Sequence, residues 1–319
     1  MKAKFTITVD LGGTKILSAL LSESNEIIDR VKIPTDITLG AEFLVKSIAK
    51  SVKKILKKND KKEDQIRAIC LGVPGTVDPQ SGIIENAPNL GIKEFNIQAE
   101  LSNYFKIPVL IENDVNLAAL GIKRFEFKDK VKNMLVVFIG TGIGSALIFN
   151  GKMYRGSSFY AGEIGHMKVS ANGNFSAYAN DSTFEELASR TAVVNAIKTD
   201  ITNGASSSLI ELGEQKIKSK SLAKAVADGD ELASNHINHS CTIIGTVLGS
   251  VTTLLNVDTI VLGGGVLEAM NEYMLPKIIE AFNHAVLPET GNFVKIVATK
   301  LGDDAPLYGG ISLAEEFIN

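Results

Sequence analysis

The stretch Phe5-Thr-Ile-Thr-Val-Asp-Leu-Gly-Gly-Thr-Lys-Ile-Leu-Ser-Ala-Leu-Leu21 decides the architecture of this chain. Residues 5–9 alternate β-branched and apolar side chains with the period of a strand, residues 16–21 resume the pattern after a turn, and residues 26–33 supply a third run. Between the first two runs lies Asp10-Leu-Gly-Gly-Thr-Lys15. Paired glycines let the backbone turn tightly and aim its N–H groups at a phosphate. Asp10 ends the strand where a carboxylate reaches a magnesium ion through water. A plain hairpin with a turn-capping aspartate satisfies the same residues.

Working outward, the opening returns at Asn133: a strand (MLVVFIG), the turn Gly140-Thr-Gly-Ile-Gly144 and a returning strand, 145–149, make a weak internal repeat. A third glycine turn, Gly263-Gly-Gly265, follows a strand at 259–262 and opens a helix to about His284, so its N-terminal dipole favours an anion. The three turns together point to a nucleotide polyphosphate. No GxxxxGK[ST] occurs, and Gly263-Gly-Gly265-Val-Leu-Glu268 lacks the last glycine of GxGxxG, so neither a P-loop nor a dinucleotide-binding turn accounts for them.

Residues 41–58 place Leu44, Ile48, Val52, Ile55 and Leu56 at helical spacing. Lys46, Lys50, Lys53, Lys54 and Lys57 lie elsewhere as a solvated face with no interleaved aromatics. Strands are expected at 66–73, 109–112 and 294–301, and helices after Asp114 and at 183–199, 221–228, 231–255 and 309–317. Strands alternating with helices predict α/β layers. The 231–255 helix serves equally as core or as part of an interface.

A chain of 319 residues, at ~150 per domain, predicts two domains. Apolar residues at 45% and charged residues at 22% are globular proportions. Thirty-three basic against 36 acidic side chains leave a formal charge of −3, which excludes the broad positive field of a nucleic-acid or anionic-membrane binder and favours a small ligand. No run approaches the ~18 apolar residues of a membrane span, and Asp10 interrupts any leader-like apolar core. Cys70 and Cys241, each in an apolar stretch, read as buried free thiols in a reducing compartment. A cytoplasmic protein is expected.

Two further places carry chemistry. Asp114 follows the apolar strand Val109-Leu-Ile-Glu-Asn113, and a carboxylate at that edge faces the ligand crevice of an α/β protein; it would also cap the helix that follows. Tyr160-Ala-Gly-Glu-Ile-Gly-His-Met167 brings Glu163 and His166 within three residues, suited to a hydroxyl-rich ligand but short of the four ligands of a zinc site. His236, His239 and His284 read as surface or interface features.

In order, DLGGTK (10–15), LGVPGTVD (71–78), NAPNLG (86–91), IENDVN (111–116), IGTGIGSALI (139–148), AGEIGH (161–166), IVLGGGV (260–266) and LGDDAPLYGG (301–310) make the chain similar to ROK proteins (repressor, open reading frame, kinase) over nearly its whole length. The resemblance implies the two-lobed, actin-like α/β ATPase fold of the sugar kinase, Hsp70 and actin superfamily, with a mixed sheet in each lobe and a central cleft. It implies a small lobe of 1–116 plus 303–319 and a large lobe of 117–302. It implies ATP-dependent phosphorylation of a hexose at the 6-hydroxyl, glucokinase-like, with Mg2+ and usually as a homodimer.

Carried over by position, Asp114 is the general base, and Asn89, Asn113, Glu163, His166 and Glu185 bind sugar hydroxyls, with Gly75 lining the pocket by its backbone. Gly12, Gly13, Thr14 and Lys15 belong to the first phosphate loop, beside Asp10 for magnesium; Thr141 and Gly142 belong to the second, and Gly264 and Gly265 to the adenosine side. Kinases of the family commonly follow GH with a CxCGxxGC cluster that binds zinc with the histidine. Here residues 167–184, MKVSANGNFSAYANDSTF, hold no cysteine, so no structural zinc is expected and His166 is left for sugar. N-acetylmannosamine kinase, some of whose members lack the cysteines too, and fructokinase share the machinery. A sugar-responsive regulator is the non-enzyme alternative.

Overall fold

The computed structural model describes residues 4–176, 181–212 and 216–318. The opening stretch forms β1 (Phe5–Leu11) and β2 (Lys15–Leu21), joined by the glycine turn, then β3 (Ile27–Pro34) and helix α1 (Gly40–Lys58). Next come β4 (Ile66–Val73), the short strands β5 (Thr76–Asp78), β6 (Ile83–Ala87) and β7 (Ile92–Asn96), α2 (Ile97–Ser102), β8 (Val109–Asn113) and α3 (Asp114–Phe125). The repeat at Asn133 gives β9 (Met134–Ile139) and β10 (Ile143–Phe149), followed by β11 (Lys152–Tyr154). Then follow α4 (Phe184–Ala188), α5 (Arg190–Thr202), α6 (Ser219–Ala227), α7 (Glu231–Leu255), β12 (Thr259–Gly263), α8 (Gly265–Ala285), α9 (Pro288–Gly291), β13 (Lys295–Ala298) and α10 (Ala305–Phe317). No helix among the described residues is long and apolar enough to cross a membrane.

The chain divides into two compact units. Met1–Lys130, Gly151–Ala161 and Asp303–Asn319 form one; Val131–Asn150 and Gly162–Gly302 form the other. The division expected after residue 116 falls inside α3, whose ladder of hydrogen bonds does not divide. That helix packs on α10 at glycines. A Cβ on Gly309 would run into the Leu117 carbonyl, and one on Gly121 into that of Ala305. The first unit therefore continues to Lys130.

The first unit is built on a sheet in the order β3-β2-β1-β4-β8, antiparallel from β3 to β1 and parallel from β1 to β8. Alternation sorts its faces. Ile7, Val9, Ile16, Leu20, Ile69 and Leu71 pack with Leu44, Ile48, Val52 and Ile55 of α1. Small residues face the other way: Ala68 and Cys70 lie with Leu117 and Leu313, and Ala19 lies with Leu307 and Ile311. A separate antiparallel meander, β5-β6-β7, went unforeseen because its strands are short and broken by Asn, Gly and Pro.

In the second unit β10, β9, β12 and β13 neighbour one another in that order, antiparallel then twice parallel, which is the pairing of β2-β1-β4-β8. The repeat thus extends beyond the hairpin. The helix expected over 183–199 is two: Ser189 is extended (φ −70°, ψ 165°) and its hydroxyl accepts from Ala192 N at 3.2 Å, starting α5 afresh. The last strand is shorter than 294–301, the last helix starts earlier than 309, and α8 is kinked at Met270 (φ −147°, ψ 40°). The apolar length of α7 is core, with Ile237, Cys241, Ile244 and Leu248 buried.

Candidate active site

In the first unit, register brings the expected residues to one sheet edge. Asp10 pairs with Gly72, Gly72 with Glu112 and Val73 with Asn113, so the carboxyl ends of three parallel strands finish together. Such an edge is where open α/β sheets bind ligands. The Gly12–Gly13 turn is closed by Gly12 N donating to the Lys15 carbonyl (2.9 Å) and by the Thr35 hydroxyl donating to the Gly12 carbonyl (2.8 Å). A Cβ on Gly13 would come within 3.5 Å of the Asn89 carbonyl, which places the 88–90 turn beside the glycines. Lys15 Nζ is turned to Asp303, at 3.1 Å. Burial, with Asp303 adding like charge against the pull of Lys15, raises the Asp10 carboxyl to about 6.

Asn113, not Asp114, caps α3. Its Oδ1 accepts from Val115 N at 2.9 Å and Asn116 N at 3.0 Å, while its Nδ2 donates to the Gly75 carbonyl at 2.9 Å. Asp114 is the first helical residue and accepts from Val115 N at 2.9 Å. Gly75 has φ +97°, and a Cβ there would strike the Asn86 carbonyl, so only glycine serves. Behind this turn the Glu112 carboxylate is 1% exposed. It accepts from Arg155 Nε (2.7 Å), Asn116 Nδ2 (3.0 Å) and Asn113 N (3.0 Å). The rest of the Arg155 guanidinium forks onto Glu316 at 2.8 and 3.1 Å. Burial opposes the Arg155 charge, but the two carboxylates outweigh it and hold its pKa above the usual arginine value.

In the second unit the Gly140–Gly144 turn is wired to the α4–α5 junction. Arg190 donates from its backbone to the Gly140 carbonyl (3.0 Å) and from its guanidinium to Thr141 Oγ1 (2.6 Å), and the Thr191 hydroxyl donates to the Thr141 carbonyl (2.6 Å). Glu185 accepts from Ile143 N at 2.6 Å. A Cβ on Gly142 would collide with that carboxylate. The turn 164–166 lies over the same strand: Gly165 approaches Ile143 and Glu185, and His166 Nε2 stands 3.7 Å from Glu163. Burial pushes the Glu163 carboxyl up, eased by His166 and reinforced by the charge of Glu185. Gly264 has φ +92°, and a Cβ on it would lie 2.5 Å from the Ile139 carbonyl, so the third glycine turn adjoins the second.

The second unit thus gathers Glu163, His166 and Glu185 with Thr141, Gly142 and Gly264, and the first gathers Asp10, Gly12, Gly13, Gly75, Asn89, Asn113 and Asp114. Among the described residues no group of three or more His, Cys, Asp or Glu is placed to hold a metal. The loop after His166 is closed by Phe184 N donating to the Met167 carbonyl (2.9 Å) and by bridges of Lys168 with Thr183 and Val169 with Phe175; residues 177–180 of the expected cysteine-free stretch lie outside the described residues. His236 lies 2.7 Å from Asp200.

Sequence reading passed over Glu112, Arg155, Arg190 and Thr191. A glutamate in an otherwise apolar strand was a visible flag. Arg155 carried none, because its partners lie far away in the chain.

Residues 6–317 match the profile of the ROK family. The chain belongs to the ROK family. It is 31% identical to the glucokinase of Halalkalibacterium halodurans, over 97% of this chain and 94% of that protein. It is 26% identical to the xylose repressor of Caldicellulosiruptor bescii, over 78% of this chain and 62% of that protein. A crystal structure of a ROK family glucokinase from Streptomyces griseus in complex with glucose and AMPPNP superposes with a TM-score of 0.83 at 27% identity, covering 98% of this chain and 99% of that one. The fold is the actin-like ATPase fold of the ROK kinases.

Proposed function

We propose that this ROK protein is an ATP-dependent hexose kinase, glucokinase-like, that phosphorylates the 6-hydroxyl. The observation that carries the reading is the Asn113–Asp114 turn: a carboxylate at the end of a parallel strand, on a backbone pinned by the Asn113 cap and the Gly75 carbonyl. Likeness to glucokinases along nearly the full length of the chain supports it.

In this reading Asn89, Asn113, Glu163, His166 and Glu185 take the sugar hydroxyls. Asp114 accepts the proton of the attacking hydroxyl, a general-base contribution of ~10²–10⁴. The Gly12–Gly13 and Thr141–Gly142 turns offer backbone N–H groups to phosphates, and Gly264 and Gly265 lie on the adenosine side. Asp10 would hold magnesium through water: its carboxylate lies at the end of β1 beside the Gly12–Gly13 turn, at the edge where three parallel strands finish. Magnesium, bound with ATP, neutralises charge on the transferring phosphoryl group.

The test is ADP release from Mg·ATP with glucose, mannose, fructose, N-acetylglucosamine or N-acetylmannosamine, against a no-sugar blank. Turnover on one hexose is expected, with Asp114→Asn retaining sugar binding and losing ~10²-fold or more in kcat. A fully active Asp114→Asn would remove the base assignment. Similarity to a xylose repressor favours a second reading, a sugar-responsive regulator. Sugar binding by calorimetry without turnover on any sugar would move the assignment there.

A further inference from the structure

Glu112 puts a carboxylate side chain, 1% exposed, in an expensive place. A carboxylate taken out of water keeps its charge only against a cation and hydrogen bonds that fill its lone pairs. Here Arg155, itself 12% exposed at the side chain, supplies the cation through Nε at 2.7 Å. Two N–H groups fill the other oxygen, those of Asn113 N and Asn116 Nδ2, both at 3.0 Å. Asn116 makes that bond while its own Oδ1, buried, has no hydrogen-bond partner among the described residues, so the carboxylate dictates how the amide is turned. Arg155 is aimed in turn: Glu316 grips the far side of the guanidinium in a two-bond fork, and the ring of Phe317 lies 5.7 Å from its Cζ. A planar, forked cation held this way has little freedom left.

The chain of contacts ends on the residues the reaction needs. Glu112 fixes the peptide N–H of Asn113, and Asn113 caps α3 and reaches the Gly75 carbonyl; Asp114 follows directly. We propose that Arg155 is a positioning residue for the Asn113–Asp114 turn, acting through the buried carboxylate of Glu112 and itself oriented by the last turn of α10. The inference rests on the reading of Asp114 as the base. Without Arg155 the carboxylate loses the cation that holds it in place and is free to turn toward water, away from the Asn113 amide. Displacement of a base by about 1 Å is enough to cost ~10²-fold in turnover.

The experiment compares Arg155→Met and Arg155→Lys with the unaltered protein by two measurements. The first is initial rates with Mg·ATP and sugar varied, on protein well below its melting temperature. kcat of Arg155→Met is expected to fall ~10-fold or more while KM for ATP stays within ~2-fold, with Arg155→Lys intermediate. The second is amide hydrogen exchange, which needs no turnover. Asn113, Val115 and Asn116 are expected to lose protection in Arg155→Met while the amides of β1 keep theirs.

Unchanged exchange at those three amides overturns the proposal whatever the kinetics, and so does an unchanged kcat in an enzyme that is active when unaltered. If the unaltered protein phosphorylates no sugar, the functional reading falls by itself and exchange decides the role of Arg155. Should Arg155→Met fail to fold, Arg155→Lys, which keeps the charge and loses the fork, carries both measurements.

Discussion

Asp10 shows how a site residue taxes its own fold. Its carboxyl, raised to about 6, lies above the ordinary 3.8, so the folded chain holds that proton more tightly than the unfolded one. Below the ordinary value both states are protonated and the group is neutral toward folding. As pH climbs from about 4 to about 6 the unfolded chain releases its proton first and stability declines, by up to about 3 kcal/mol once both are ionised. Asp10→Asn is therefore expected to melt higher than the unaltered protein at pH 7 and equally at pH 4, and to gain less stability from added Mg·ATP. Thermal melts across that range check the sign. At this scale the sequence was generous where a residue acts through its own neighbours. Asp10 and Gly12–Gly13 were plain, and Asn113–Asp114 was too, save that the cap fell on the asparagine. It was silent where a residue acts through a distant one, as Arg155 does through Glu112 and Glu316.

Among the elements, two glycines have opposite consequences. At Gly142 the obstacle to a side chain is the flexible end of Glu185. Gly142→Ala is expected to displace that carboxylate from Ile143 N, leaving the melting temperature nearly unchanged while kcat/KM for sugar falls ~10²-fold. At Gly309 the obstacle is the backbone of Leu117, which cannot step aside. Gly309→Ala is expected to cost about 3 kcal/mol and on the order of 10 °C in Tm by prising α10 from α3, readable in a melt.

The same contrast explains what was legible among the elements. Strands β1 to β3 and helix α1 announce themselves by period, because one environment covers each face from end to end, while β4 and α7 announce themselves as nearly unbroken apolar runs. The β5-β6-β7 meander has strands of only three to five residues, too short for a period to declare itself. The break at Ser189 joins a local cap, the Ser189 hydroxyl on Ala192 N, to the tie between Arg190 and Gly140, a tertiary contact that local propensity does not contain.

At the scale of the whole molecule, the hairpin-and-turn repeat read from two short stretches proved to be the visible tip of a larger one. In each unit an antiparallel hairpin is followed by two parallel strands, although only the glycine turns are alike in sequence. Burial asks only for apolar residues of suitable size, so the later strands were free to diverge. The division between units was harder to read, because what draws α3 to the first unit is its packing on a helix from the far end of the chain.

The same division falls between the two buried thiols. Cys70 lies in the first unit, its Sγ donating to the Gly310 carbonyl at 3.1 Å, and Cys241 lies in the second. Burial pushes each up to about 12. Neither is expected to react with a thiol-specific chromophore in the native protein. Along a denaturant series, Cys70→Ser and Cys241→Ser proteins would each leave a single label that reports on one unit. Coincident labelling curves would mean the two units open in one step, and separated curves would date the opening of each by its own internal clock.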